Sequence, residues 1–314
     1  MMGKIYRNIF LLVMAMVLML SGCGKGAGNT ADSGGAAPID NQLTIKAIDV
    51  GQGDAFLIQT GAQVILIDTG DDKYRDGARK GENNFKLIEA LDREGITHID
   101  KLIMTHAHSD HIGYAAKVIK QYNVDELIYN GIPSAGSQFR NALKAAKSAG
   151  TKQTVVKADD VLDFGKGVLF KVLSPSAELV EQDKQAISAG EKPDANNESI
   201  VGILTFGDFS MLFTGDAEKK IEKDLLKKYG NSLACKVYKV PHHGSSTSST
   251  AKYVRTVNPE WAIISCGEKN PYGHPHGETM KLLGERKINV MRTDEHGTIT
   301  IVSDGTNYSV TGER

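Results

Sequence analysis

Three of the chain's nine histidines fall within six residues, in Thr105-His106-Ala107-His108-Ser109-Asp110-His111. Imidazole is the commonest side-chain metal ligand, and a carboxylate can bridge two cations. The stretch follows an apolar run and precedes a helix-forming one, so it reads as a loop in which side chains converge. In extended chain, residues two apart point the same way, which lets His106 and His108 grip one metal. Asp110 and His111 then face a second position. The bland alternative, a polar loop that happens to hold three histidines, leaves such clustering unexplained. The chemistry this set suits is metal-assisted hydrolysis. Two cations ~3.5–4 Å apart would hold a hydroxide at ordinary pH and neutralise charge on the group under attack.

The elements around the loop follow from hydrophobic spacing. Short β-branched runs at 43–50, 55–59 and 64–68 predict strands, and 84–94 carries Phe85, Ile88 and Leu91 at helical spacing. A strand at 101–105 leads into the histidine loop and a helix at 112–122 leaves it. A strand at 126–129 and a helix at 138–149 follow. The second half repeats the rhythm, with strands at 168–173, 200–206, 210–214, 235–240 and 261–265 and helices at 217–228 and 247–257. Two batches of strands with helices outside predict two sheets packed face to face between helical layers. The polar, aperiodic stretch 182–197 is expected to be a surface loop. The lysines of 217–228 are expected on the solvated face of their helix.

His-x-His-x-Asp-His after a strand resembles the signature of the metallo-β-lactamase superfamily, which implies an α/β fold with an αββα sandwich. Ile65-Leu66-Ile67-Asp68-Thr69-Gly70 is similar to its first motif, with Asp68 supporting the metal loop from behind. Phe213-Thr214-Gly215-Asp216 is similar to its fourth, with Asp216 bridging two metals. Asp49-Val50-Gly51-Gln52-Gly53-Asp54, Val240-Pro241-His242-His243-Gly244-Ser245 and Tyr272-Gly273-His274-Pro275-His276 resemble a narrower branch, the extracellular domain of the competence DNA-uptake protein ComEC. The resemblance implies two divalent metal ions, zinc or manganese. One rests on His106, His108 and Asp216, the other on Asp110, His111, Asp216 and His243. Asp49 joins Asp68 in support, and His242, His274 and His276 face the substrate with Asp110 in catalytic roles. One departure is informative. No histidine lies between His111 and His242, so the usual third ligand of the first metal is missing, and Asn197 is the expected substitute. Fewer nitrogen ligands weaken zinc retention and favour manganese.

The branch points to phosphodiesters, with nucleic acid ahead of other substrates. A teichoic-acid phosphorylcholine esterase shares a similar His-His-Gly step and is the main rival. An amide or thioester hydrolase would be expected to keep the missing histidine. A chain with one Trp and ten Tyr is poorly stocked for a choline cage.

Residues 1–22 read as a secretory leader: Lys4 and Arg7, an apolar run from Ile9 to Leu20, then Ser21-Gly22 before Cys23. The cysteine at the cut resembles a bacterial lipobox, which implies a lipid on Cys23 and anchoring to the outer face of the cell membrane. Residues 23–41 are Gly-, Ala- and Ser-rich, as a flexible tether would be, and 42–314 form the hydrolase domain. Loss of Lys4 and Arg7 takes the formal net charge from −1 to −3. A mildly acidic protein carries no broad electrostatic footprint for nucleic acid. Cys235 and Cys266 are two cysteines only, too few for a disulfide scaffold. Cys23→Ala is expected to abolish labelled-palmitate incorporation and release the protein from the membrane fraction; unchanged fractionation would refute the lipid anchor.

Overall fold

The computed structural model describes residues 42–73 and 86–314. The leader 1–22, Cys23, the tether 23–41 and the first two residues of the helix expected at 84–94 lie outside the described residues. The first half runs β1 (Leu43–Ala47), β2 (Phe56–Gln59), β3 (Val64–Ile67), α1 (Lys86–Arg93), β4 (Ile99–Ile103), α2 (Ser109–Ile112), α3 (Ala115–Gln121), β5 (Val124–Tyr129), α4 (Ser137–Ala149) and β6 (Lys152–Val155). Strands β1 to β3 form an antiparallel meander, and β3 to β6 then run parallel. Parallel neighbours need long crossovers, which the helices supply.

The second half follows the same plan. A meander of β7 (Val161–Asp163), β8 (Leu169–Ser174), β9 (Val201–Phe206) and β10 (Phe209–Phe213) has α5 (Ala177–Ser188) inserted before β9. Then α6 (Lys219–Tyr229), β11 (Val237–Lys239), α7 (Ala251–Val257), β12 (Trp261–Ile264), α8 (Gly277–Glu285) and β13 (Asn289–Arg292) extend the sheet in parallel. After α9 (Thr293–His296), β14 (Ile299–Ser303) and β15 (Tyr308–Gly312) return to the first sheet beside β1. The sheet orders are β15-β14-β1-β2-β3-β4-β5-β6 and β13-β12-β11-β10-β9-β8-β7.

Alternation along each strand decides which layer a side chain joins. On β3, Ile65 and Ile67 face the second sheet while Leu66 packs outward under the helices. On β12, Ile263 points inward and Ala262 and Ile264 point toward α7 and α8. Three apolar layers result: one between the sheets, one under α1, α3 and α4, and one under α6, α7 and α8. This is the expected αββα sandwich.

One expectation fails. The expected surface loop at 182–197 begins as helix, because α5 continues to Ser188. Its start is capped by the Ser176 hydroxyl, which accepts from Leu179 N at 3.2 Å, and only Leu179 and Val180 are buried. A helix that buries two side chains at its first turn leaves no 3.6-residue apolar stripe to read.

Inside the central layer, β9 passes so close to Phe170 that a Cβ on Gly202 would lie 2.2 Å from its ring. Gly202→Ala is therefore expected to cost about 1–3 kcal/mol through overpacking. Thermal melting checks it, and an unchanged Tm would mean that the Phe170 ring swings aside.

Candidate metal centre

The parallel strands β3, β4, β10, β11 and β12 end on one rim of the sandwich, and the polar residues gather in the loops just beyond those ends, as is general for ligand sites in α/β sheets. Asp68 follows β3 at φ 60°, buried, and accepts three hydrogen bonds: from Thr105 N at 2.8 Å, Thr105 Oγ1 at 2.6 Å and His111 Nδ1 at 2.7 Å. Because the Thr105 hydroxyl spends its only proton on Asp68, it accepts from His106 Nδ1 at 3.1 Å. Both imidazoles are thereby held with Nδ1 protonated and the Nε2 lone pair turned forward, the usual outer arrangement of a metal-binding histidine. His243 is set the same way, its Nδ1 donating to Ser265 O at 2.8 Å.

These nitrogens converge on one oxygen. Asp216 Oδ2 lies 3.1 Å from His111 Nε2, 3.4 Å from His243 Nε2 and 4.0 Å from both His106 Nε2 and His242 Nε2. Asp110 Oδ2 is 3.2 Å from His243 Nε2. Ligand atoms of Asp110, His111, Asp216 and His243 all lie within 4.8 Å of one another. On the other flank His106 Nε2 is 3.1 Å from His108 Nδ1, so the two extended-chain histidines share a direction. Buried His111 Nε2 and Asp216 Oδ1 have no hydrogen-bond partner, and the 3.1 Å approach of His111 to Asp216 lacks hydrogen-bond alignment. Orphaned buried lone pairs among carboxylates and imidazoles fit divalent cations. The residues present therefore suit a two-metal group.

Charge is balanced from behind. Lys239, fully buried at the end of β11, pairs with Asp54 at 2.6 Å, donates to Gly215 O at 2.8 Å and stands 3.6 Å from Asp216 Oδ1. Burial works to raise the Asp54 pKa, but the Lys239 ammonium and the His243 and His111 imidazoles together outweigh it and hold the carboxyl below its ordinary value. Burial likewise opposes ionisation of Asp216, and the His111 and His243 imidazoles overcome it, keeping the carboxyl well below the usual range. Asp54 also approaches His243 Nδ1 at 3.4 Å. Its loop reaches the centre because Gly53, at φ 134°, lies where a Cβ would sit 2.2 Å from Asp110 O, and Asp54 N donates to that carbonyl at 3.0 Å. Neither Asp54 nor Lys239 was singled out from the sequence. The available signals were the last residue of the Asp49–Asp54 motif and one lysine inside an otherwise apolar strand.

Several expected roles are relocated. Asp49 does not support the metal loop: it caps Gly51 N and pairs with Lys86 and Arg314 on the surface. Asp54 stands where Asp49 was expected. His276 spends both nitrogens on the fold, Nδ1 accepting from Ser246 N at 2.9 Å and Nε2 donating to Tyr272 O at 3.1 Å, so neither is left for a substrate. Asn197 Nδ2 donates to Asp194 at 2.9 Å while its Oδ1 is buried without a partner; in this segment it is Ser199 that touches the ligands, 3.4 Å from His106 Nδ1 and accepting from Asp216 N at 3.1 Å. His242 and His274 do line the cavity of about 290 Å³ that opens over Asp110, Asp216 and His243. His242, at φ 51°, hydrogen-bonds Thr247 Oγ1 at 3.0 Å through Nδ1, with Glu218 Oε1 3.2 Å from the same nitrogen, and its Nε2 stands 4.0 Å from Asp216 Oδ2. His274 Nδ1 is buried without a partner, and burial beside His243 and His242 pushes this imidazole down to about 3. Cys235 and Cys266 are both buried and unpaired.

Asp68→Asn keeps the shape but removes the charge that holds the His111 Nδ1 proton. Metal affinity is expected to fall about 10–100-fold, read by competition with a chelating dye. Unchanged affinity would separate Asp68 from ligand orientation.

The Metallo-beta-lactamase superfamily profile matches residues 48–268. ComE operon protein 3 of Bacillus subtilis is 34% identical over 270 residues, covering 83% of this chain and 33% of that one. Recombination protein 2 of Haemophilus influenzae is 32% identical, covering 82% and 28%. Competence protein ComA of Neisseria gonorrhoeae is 30% identical, covering 83% and 32%. The chain thus spans about a third of the length of these relatives. Among solved structures, the diiron β-hydroxylase CmlA of Streptomyces venezuelae aligns with a TM-score of 0.52 at 14% identity, over 84% of this chain and 55% of that one. The metallo hydrolase Igni18 of Ignicoccus hospitalis aligns with 0.50 at 15%, over 82% and 98%. With the fold, the ligand set and the profile in agreement, the chain belongs to the metallo-β-lactamase superfamily and has the make-up of a metal-dependent hydrolase.

Proposed function

We propose that the protein is an extracytoplasmic phosphodiesterase acting on nucleic acid, held to the membrane by the lipid on Cys23. The observation that carries the reading is the pair of imidazoles left over once the cluster is filled. His242 and His274 line the cavity together with Asp110 and are left over once His106, His108, His111 and His243 are given to the cations. A tetrahedral phosphoryl group presents oxygens away from the cations, and such walls can hold them; a planar amide offers no such charge.

Divalent cations bound there would activate water at ordinary pH and offset phosphoryl charge. The chain's own residues do the rest. Asp216 with His106, His108, His111 and His243 would hold the cations, and Asp110 would complete the set. His274 offers a hydrogen bond to a phosphoryl oxygen. His242, oriented by Thr247 on Nδ1 with Glu218 beside it, presents Nε2 to take up a proton. The names of the relatives, competence and recombination proteins, support a nucleic-acid substrate, although they speak of chains about three times longer. The acidic net charge fits a substrate gripped near one phosphate rather than along a broad basic face.

The test is the full chain in detergent, stripped of metal and restored with zinc or manganese. It is given single- and double-stranded DNA, bis-p-nitrophenyl phosphate and p-nitrophenylphosphorylcholine, with Asp110→Ala as control. DNA cleavage lost in the control is the expected result. Turnover of phosphorylcholine alone would move the assignment to wall-polymer editing, and silence on every phosphodiester would sink the reading.

A further inference from the structure

Tyr272 is one of few large apolar side chains left open among the described residues, at 56% exposure, and it stands on the rim of the metal cavity. One face of its ring stacks on His274, centroids 5.6 Å apart and planes 21° from parallel. His274 in turn lies 6.0 Å from the His243 ring, so two ring-to-ring steps separate Tyr272 from a cluster residue.

The loop that carries it is built to be stiff. Asn270 Oδ1 accepts from Tyr272 N at 3.2 Å and His274 N at 3.0 Å, while its Nδ2 donates to Gly267 O and His274 O at 3.0 and 2.6 Å. His276 clasps Tyr272 O from below while Ser246 N holds its other nitrogen, and His276 N donates to Gly244 O at 3.0 Å, tying the loop to the His242-His243 turn. These bonds fix the backbone on both sides of His274 and of an aromatic ring that packing does not bury. A rigid ring with one face backed and the other open is a stacking platform.

We infer that the open face of Tyr272 stacks on the nucleobase beside the scissile phosphate, which makes Tyr272 a specificity-determining residue for base-bearing strands. The inference rests on the nuclease reading above. A π-face accepts any base, so selection is for the presence of a base and for unpaired strands, whose bases are free to splay onto the ring. A lone ring makes a poor site for a quaternary ammonium, which is gripped by several aromatic faces.

The experiment compares the full chain and its Tyr272→Ala, Tyr272→Phe and Tyr272→Trp variants on a single-stranded oligonucleotide and on the same strand with abasic linkers flanking the cleaved bond. A 2-aminopurine placed beside that bond reports stacking through its fluorescence. For the parent, kcat/KM on the base-bearing strand is expected to exceed that on the abasic strand about ten-fold or more, with quenching on binding. Tyr272→Ala brings that ratio toward one and removes the quench, and Phe and Trp restore both. Equal ratios for parent and Tyr272→Ala, with DNA still cleaved, would overturn the stacking role and leave the nuclease reading standing. No cleavage of either strand by the parent would overturn both. Tyr272-dependent turnover of p-nitrophenylphosphorylcholine alone would put a quaternary ammonium on the ring instead of a base, and would overturn the proposal too.

Discussion

One carboxylate has to stay ionised inside a nearly dry sandwich, and the architecture of the rim follows from that. Asp216 is 1% exposed, and an isolated buried carboxylate would take up a proton rather than bear the desolvation cost. What keeps it charged is the ring of imidazole nitrogens within 4.0 Å of Oδ2 and the Lys239 ammonium 3.6 Å from Oδ1. All of those groups except half-buried His242 are themselves buried and must be neutralised or oriented in turn. Lys239 leans on Asp54, His111 on Asp68, and His243 on Ser265 O. Such a network adds little net stability compared with an apolar core, and removing one member leaves an uncompensated charge. It specifies geometry.

That demand explains why the two halves of the chain meet where they do. Asp68, His106 and His111 come from the first sheet, while Asp216, Lys239 and His243 come from the second. Neither half completes the charge balance alone. The links that cross between them are short and polar: Ser265 Oγ donates to Gly53 O at 2.7 Å, and Gly267 N donates to Gln52 Oε1 at 3.1 Å. His242 and His243 both sit at positive φ, a backbone state that costs about 1–3 kcal/mol per residue and persists only where the surroundings enforce it. Glu222 helps to enforce it by accepting from Ser249 N and Thr250 N at the start of α7, which anchors the chain just beyond the turn. The solved structures with this fold include a hydroxylase as well as a hydrolase.

The sequence by itself determined the metal loop and the paired batches of strands. The reason is local: His-x-His-x-Asp-His needs only extended backbone to point its side chains together, and β-branched alternation needs only the strand period. Tertiary structure decided the rest, because those questions concern partners far apart in the chain. Asp49 and Asp54 look alike in the motif they bound, and only the fold sends Asp54 to Lys239 and His243 while leaving Asp49 on the surface. His274 and His276 are two residues apart, yet one ring faces the cavity and the other is consumed in clamping the loop. In the segment expected to replace the missing third histidine, it is Ser199 that comes within 3.4 Å of His106, while Asp194 turns the Asn197 amide nitrogen away and leaves its oxygen buried without a partner. A side chain's role is set by which hydrogen-bond partners reach it first, and those partners arrive from other elements.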